Sequence, residues 1–125
     1  MIHNNNFEKL GYSIYPNALS EKITAEIREH INFLSDLYPQ TRPESFHHDM
    51  LVEDPFIHHI LNQTCVTEIS KHYLGADIAL FGAHYIAKKP FTGRPVGWHQ
   101  DGSYWPLNPM KVISLWIAGT YSNGN

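Results

Sequence analysis

Val112 to Thr120 constrains the fold most: Ile113, Leu115 and Ile117 alternate with Ser114, Trp116 and Ala118. A period of two sends those two sets to opposite faces of a β-strand. Ile78 to Ala87 repeats the pattern, with Ile78, Leu80, His84 and Ile86 on one side and Ala79, Phe81, Ala83, Tyr85 and Ala87 on the other. Small residues set among aromatics suit a tapered barrel wall. Gly11 to Tyr15 adds a shorter run, with Tyr12 and Ile14 against Ser13 and Tyr15. Between the two long runs lie turn-forming breaks at Pro90, Thr92, Gly93 and Pro95, then at Pro106 and Pro109.

The stretch between the first and second of these runs carries a different period. Ser20 is a good N-cap, Glu21 favours the positive end of a helix, and Ile23, Ile27, Ile31 and Leu34 follow at helical spacing. This predicts a helix to about Leu37, with Lys22, Glu26, Arg28 and Glu29 on its solvated face. Pro55 suits a first helical turn before Phe56, Ile57, Ile60 and Leu61. Val66, Ile69 and Tyr73 mark a further helix that ends at Leu74-Gly75. Tyr38 to Glu53 has no period and reads as a long loop, of the kind that is often functional. The expected fold is mainly β with N-terminal helices.

A chain of 125 residues makes at most one domain. Its formal net charge of −3 gives no basic surface for nucleic acid. The single cysteine, Cys65, has no internal disulfide partner and suits a reducing compartment. The polar opening residues do not form a signal peptide, and no apolar run reaches the ~20 residues that span a membrane. A cytoplasmic protein without membrane contact is expected.

The chemistry concentrates in Trp98-His99-Gln100-Asp101-Gly102-Ser103-Tyr104-Trp105-Pro106. In extended backbone, His99 and Asp101 project from the same face. One imidazole and one carboxylate side by side are two thirds of a 2-His-1-carboxylate facial triad, which leaves room on the metal for oxygen and a cosubstrate. Zinc accepts the same donors, so the pair does not by itself name the metal. A second His-x-Asp, His47-His48-Asp49, lies between Pro43 and Pro55 without alternation and reads as solvated loop. His47, His48, His58 and His59 lack the spacing of helix-borne ligands, and His84 reads as a core histidine.

Lys88-Lys89-Pro90, Gly93, the Trp98 to Asp101 block with Tyr104-Trp105-Pro106, and Val112 to Ala118 occur in an order that resembles the phytanoyl-CoA dioxygenase family. Phe7 to Tyr12 followed by Pro16 to Ser20 is similar to that family's opening strand and first helix. The resemblance implies a double-stranded β-helix, a jelly roll of the cupin-like kind. It also implies an Fe(II)- and 2-oxoglutarate-dependent dioxygenase that hydroxylates a small molecule with dioxygen.

By this resemblance His99 and Asp101 are metal ligands and catalytic. Gln100 and Trp116 border the 2-oxoglutarate, and Lys88 lies near it, with Lys89 as the other possible register. Tyr104 and Trp105 shape the substrate pocket. A carboxylate at Asp101 implies hydroxylation, because halogenating relatives have a small residue there. The family's second histidine ligand and its 2-oxoglutarate arginine carry over to no position in this sequence. The expectation is therefore that residues 1–125 are the N-terminal part of one such domain, an incomplete β-helix with its C-terminal strands absent. Its open sheet edge would then allow self-association. The alternatives are a catalytically inactive fragment and a metal-binding jelly roll without oxygenase chemistry.

Overall fold

A computed structural model describes residues 7–121. The first helix, α1, is the short Phe7–Leu10, and the longest, α2, spans Glu21–Leu37. Ser20 caps α2 as its sequence position predicts, its side-chain oxygen accepting from the Ile23 N–H at 3.3 Å. Ile23, Ile27 and Leu34 form the buried stripe. After a turn of 3₁₀ helix at Pro43–Ser45 come α3 (His48–Leu51), α4 (Pro55–Leu61) and α5 (Thr64–Leu74). Asp54 caps α4, with Oδ1 accepting from the N–H groups of Phe56 at 2.7 Å and Ile57 at 3.4 Å. Gly75 closes α5 at φ 95°, a backbone conformation that a side chain would strain.

Two apolar clusters hold these helices together. Leu34, Phe46, Leu51 and Ile57 form one, and Ile23, Ile27 and Ile60 the other; the half-buried Tyr85 packs against both. Phe46 and Leu51 are fully buried, so the aperiodic stretch from Tyr38 to Glu53, read from sequence as a long loop, is anchored in the core. It supplies the two most deeply buried large side chains, while His47, His48 and Asp49 between them face solvent. Complete burial of such side chains stabilises by about 2 kcal/mol each.

The expected mainly β architecture is corrected here. Among the described residues there is no β-strand, so neither a double-stranded β-helix nor a jelly roll is formed by residues 7–121. The alternating runs sort their side chains onto two faces, but alternation does not supply a neighbouring strand. A ladder forms only when another segment offers its N–H and C=O groups in register.

Each run instead contacts the helical part, the last of them at its C-terminal end alone while Leu115, Trp116 and Ile117 stay exposed. Ser13 and Tyr15 turn inward to α5, where the Tyr15 and Tyr73 hydroxyls are 2.7 Å apart, while Tyr12 and Ile14 stay exposed. Ala83, Tyr85 and Ala87 are half-buried, and the Tyr85 N–H donates to the Phe46 carbonyl at 2.8 Å. The 112–120 run reaches α2, where Arg28 Nη1 donates to the Gly119 carbonyl at 2.7 Å. Arg28 is thus not merely part of a solvated face. No helix among the described residues is long and apolar enough to cross a membrane.

Candidate functional site

His99 and Asp101 come together, though not from a strand. Gln100 between them is extended (φ −117°, ψ 119°) and exposed, and Asp101 begins a 3₁₀ turn, Asp101–Tyr104. His99 Nε2 lies 3.0 Å from Asp101 Oδ1, and His99 Nδ1 lies 2.8 Å from the Gly97 carbonyl oxygen. The carbonyl can only accept, so Nδ1 carries a proton and donates it to Gly97. This second contact leaves Nε2 as the ring atom aimed at the carboxylate.

The electrostatics follow from that arrangement. A neutral His99 protonated at Nδ1 presents a lone pair at Nε2, facing a carboxylate oxygen that is also an acceptor. Two acceptors at this distance need a proton or a cation between them. A proton serves: the bond to the Gly97 carbonyl, followed by the hydrogen bond and charge of Asp101, raises the His99 pKa against an opposing effect of burial. An imidazole nitrogen and a carboxylate oxygen are also donors that a divalent ion accepts. The backbone bond at Nδ1 is the usual outer contact that fixes the tautomer of a ligating histidine. The donor set therefore fits Fe(II), and zinc as well. Both side chains are open to solvent, 39% and 49% exposed. Among the described residues no third His, Cys, Asp or Glu joins them to complete a metal-holding group.

The other residues singled out from sequence are placed unevenly. Tyr104 stands beside His99, its ring centroid 6.4 Å from the imidazole, and is largely exposed. Trp105 is half-buried and packs on Phe81 at 5.4 Å between ring centroids. Lys88 lies at a tight turn in which the Gly93 N–H donates to the Lys89 carbonyl at 3.1 Å. Trp116 is 78% exposed. Among the described residues, neither Lys88, Lys89 nor Trp116 is joined to His99 or Asp101 by a hydrogen bond, ion pair or ring contact.

Sequence reasoning missed Gly97, whose carbonyl holds the imidazole; its signal was its place two residues before His99. It also missed a polar network among the helices. His30 Nδ1 lies 2.9 Å from the Tyr85 hydroxyl, and its Nε2 faces Asp54 Oδ2 at 3.3 Å. Nothing local in the sequence joins these three positions. A shallow cleft of about 460 Å³ beside them, lined by Glu26, Glu29, His30, Phe33, Phe56 and His59, contains none of the residues expected at a metal centre.

Comparison with known proteins gives one positive finding. The family model of phytanoyl-CoA dioxygenase (PhyH) matches residues 7–124. Neither the curated proteins nor the solved structures gave a match. The family match covers nearly the whole sequence and includes the His99-Gln100-Asp101 block, and on that ground the chain belongs to the phytanoyl-CoA dioxygenase family.

Proposed function

We propose that the chain carries the His-x-Asp half of the metal centre of an Fe(II)- and 2-oxoglutarate-dependent dioxygenase that hydroxylates a small molecule. One observation carries the reading: His99 Nε2 and Asp101 Oδ1 converge at 3.0 Å while the Gly97 carbonyl holds Nδ1. Family membership supports the oxygenase class. When bound, iron would hold dioxygen and 2-oxoglutarate would supply the electrons that activate it, dioxygen being the oxidant of the C–H bond.

The residues of the chain have simpler tasks. His99 and Asp101 donate to the ion from adjacent positions, and Gly97 keeps the imidazole from rotating away. Lys88 offers a cation to the cosubstrate carboxylate, with Lys89 as the alternative, while Gln100 and Trp116 border it. Tyr104, beside the imidazole, presents a phenol and an apolar face to the substrate, and Trp105 backs it through Phe81. A second histidine donor completes the triad in this reading, and no residue among those described takes that place.

The test is an anaerobic titration of the full chain with Fe(II) in the presence of 2-oxoglutarate. A charge-transfer absorption that requires both additions is the expected result. Its absence, together with ferrous binding no tighter than that of an unrelated acidic protein, counts against the proposal.

A further inference from the structure

The His99–Asp101 pair sits in a segment that has little packing of its own. Residues 88–101 are all exposed, and the Phe91 and Trp98 side chains are fully so. Something must nevertheless fix this segment if two donors are to meet one ion, because a site held about 1 Å too loosely loses much of its function.

The aperiodic stretch between α2 and α3 provides the contacts. Arg42 Nη1 donates to the Thr92 carbonyl at 3.2 Å and pairs with Glu44 Oε1 at 3.5 Å. Glu44 is 12% exposed. Its carboxyl lies below the usual range, held there first by its own backbone N–H, then by Arg42 and by the backbone N–H of Arg94. The Glu44 carbonyl in turn accepts from His84 Nε2 at 3.1 Å. On either side of Glu44, Pro43 and Phe46 are buried, so this stretch is anchored in the core. The turn that it grips is tight: a Cβ on Gly93 would come within 2.9 Å of the Lys88 Cβ.

We propose that Arg42 and Glu44 are positioning residues for the metal centre, clasping the 90–95 turn and thereby fixing both Lys88 and the His99–Asp101 pair relative to the helical core. The linkage runs from Phe46 in the core to Glu44 and Arg42, then to Thr92, and along the chain through Gly97 to His99. Arg42 and Glu44 touch no reacting atom; they act through the turn. The inference rests on the proposed metal centre, but its physical part, the immobilised turn, is measurable without metal.

The experiment compares the full chain with R42M, E44Q and R42K by hydrogen exchange and by anaerobic ferrous titration with 2-oxoglutarate. Loss of a charge-assisted contact should speed exchange of the Gly93 amide, which donates to the Lys89 carbonyl, and weaken ferrous binding, each about tenfold. The α2 and α5 amides should exchange as before, and R42K, which keeps a cation and a donor, should recover most of the loss. If R42M fails to fold, E44Q, which keeps the side-chain shape, decides the matter. Unchanged Gly93 exchange in the folded variants overturns the inference, as does acceleration spread equally over α2. Wild-type chain that binds no iron defeats the metal-centre reading instead, and the exchange results then decide whether the clasp holds the turn.

Discussion

The Tyr85 hydroxyl lies 2.9 Å from His30 Nδ1 and thereby fastens an irregular segment to the longest helix. Asp54 completes the arrangement: Oδ2 faces His30 Nε2 at 3.3 Å while Oδ1 caps α4. One carboxylate thus orients an imidazole and begins a helix. The imidazole, with its Nε2 proton favoured by Asp54, has Nδ1 available to accept the tyrosine O–H. Tyr85→Phe removes that donor and leaves His30 Nδ1 without its partner. Urea denaturation should show a loss of about 1–2 kcal/mol, and Tyr85→Ala should cost more because its ring packs on both apolar clusters.

Phe46→Ala tests whether the aperiodic stretch is part of the core. Phe46 is fully buried among Leu34, Leu51 and Ile57, so truncation should destabilise by about 3–5 kcal/mol. A substitution in a plain solvated loop would stay within about 0.5 kcal/mol.

The phenols give a pH dependence with a defined sign. Burial, then the hydrogen bond and charge of Tyr73, push Tyr15 up to about 12. Burial, then the charge of Asp54, raises Tyr85 as well. A phenol whose folded pKa lies above its unfolded value near ~10 favours the folded state while neutral. That contribution is complete below pH ~10 and is lost as the pH rises through the folded value. In a tyrosinate absorbance titration, Y15F and Y85F should each remove late-titrating amplitude and leave the early part intact. If all seven tyrosines of the folded chain ionise together near the unperturbed value, this account of the packing is wrong.

Gly93→Ala probes the turn beside Lys88. The new methyl would sit 2.9 Å from the Lys88 Cβ, which is not a flexible end, so the backbone of one residue must shift. The expected outcome is weaker 2-oxoglutarate binding with an unchanged helical circular dichroism spectrum. Equal cosubstrate affinity in the variant would remove Lys88 from the site.

What the sequence made legible was local. Ser20, Pro55 and Gly75 act within a turn of their own helices, so α2, α4 and α5 could be read from spacing and end residues. The closeness of His99 and Asp101 was legible for the same reason: one extended residue between them, Gln100, suffices to bring their side chains together. The expected strands do not form among the described residues, because Ile113, Leu115 and Ile117 specify a face and not a partner. The same limit hid Phe46 against Leu34, Arg42 against Thr92 and His30 against Tyr85. Those pairs lie far apart in sequence, and no periodicity joins them.

The central claim is that His99 and Asp101 hold one divalent ion between them. Anaerobic titration of wild-type, His99→Ala and Asp101→Ala chains with Fe(II) and 2-oxoglutarate tests it most directly. The account expects the charge-transfer absorption in the wild type and its loss in both variants, with helical content unchanged. Ferrous affinity and cosubstrate binding that stay the same when either side chain is removed would contradict it.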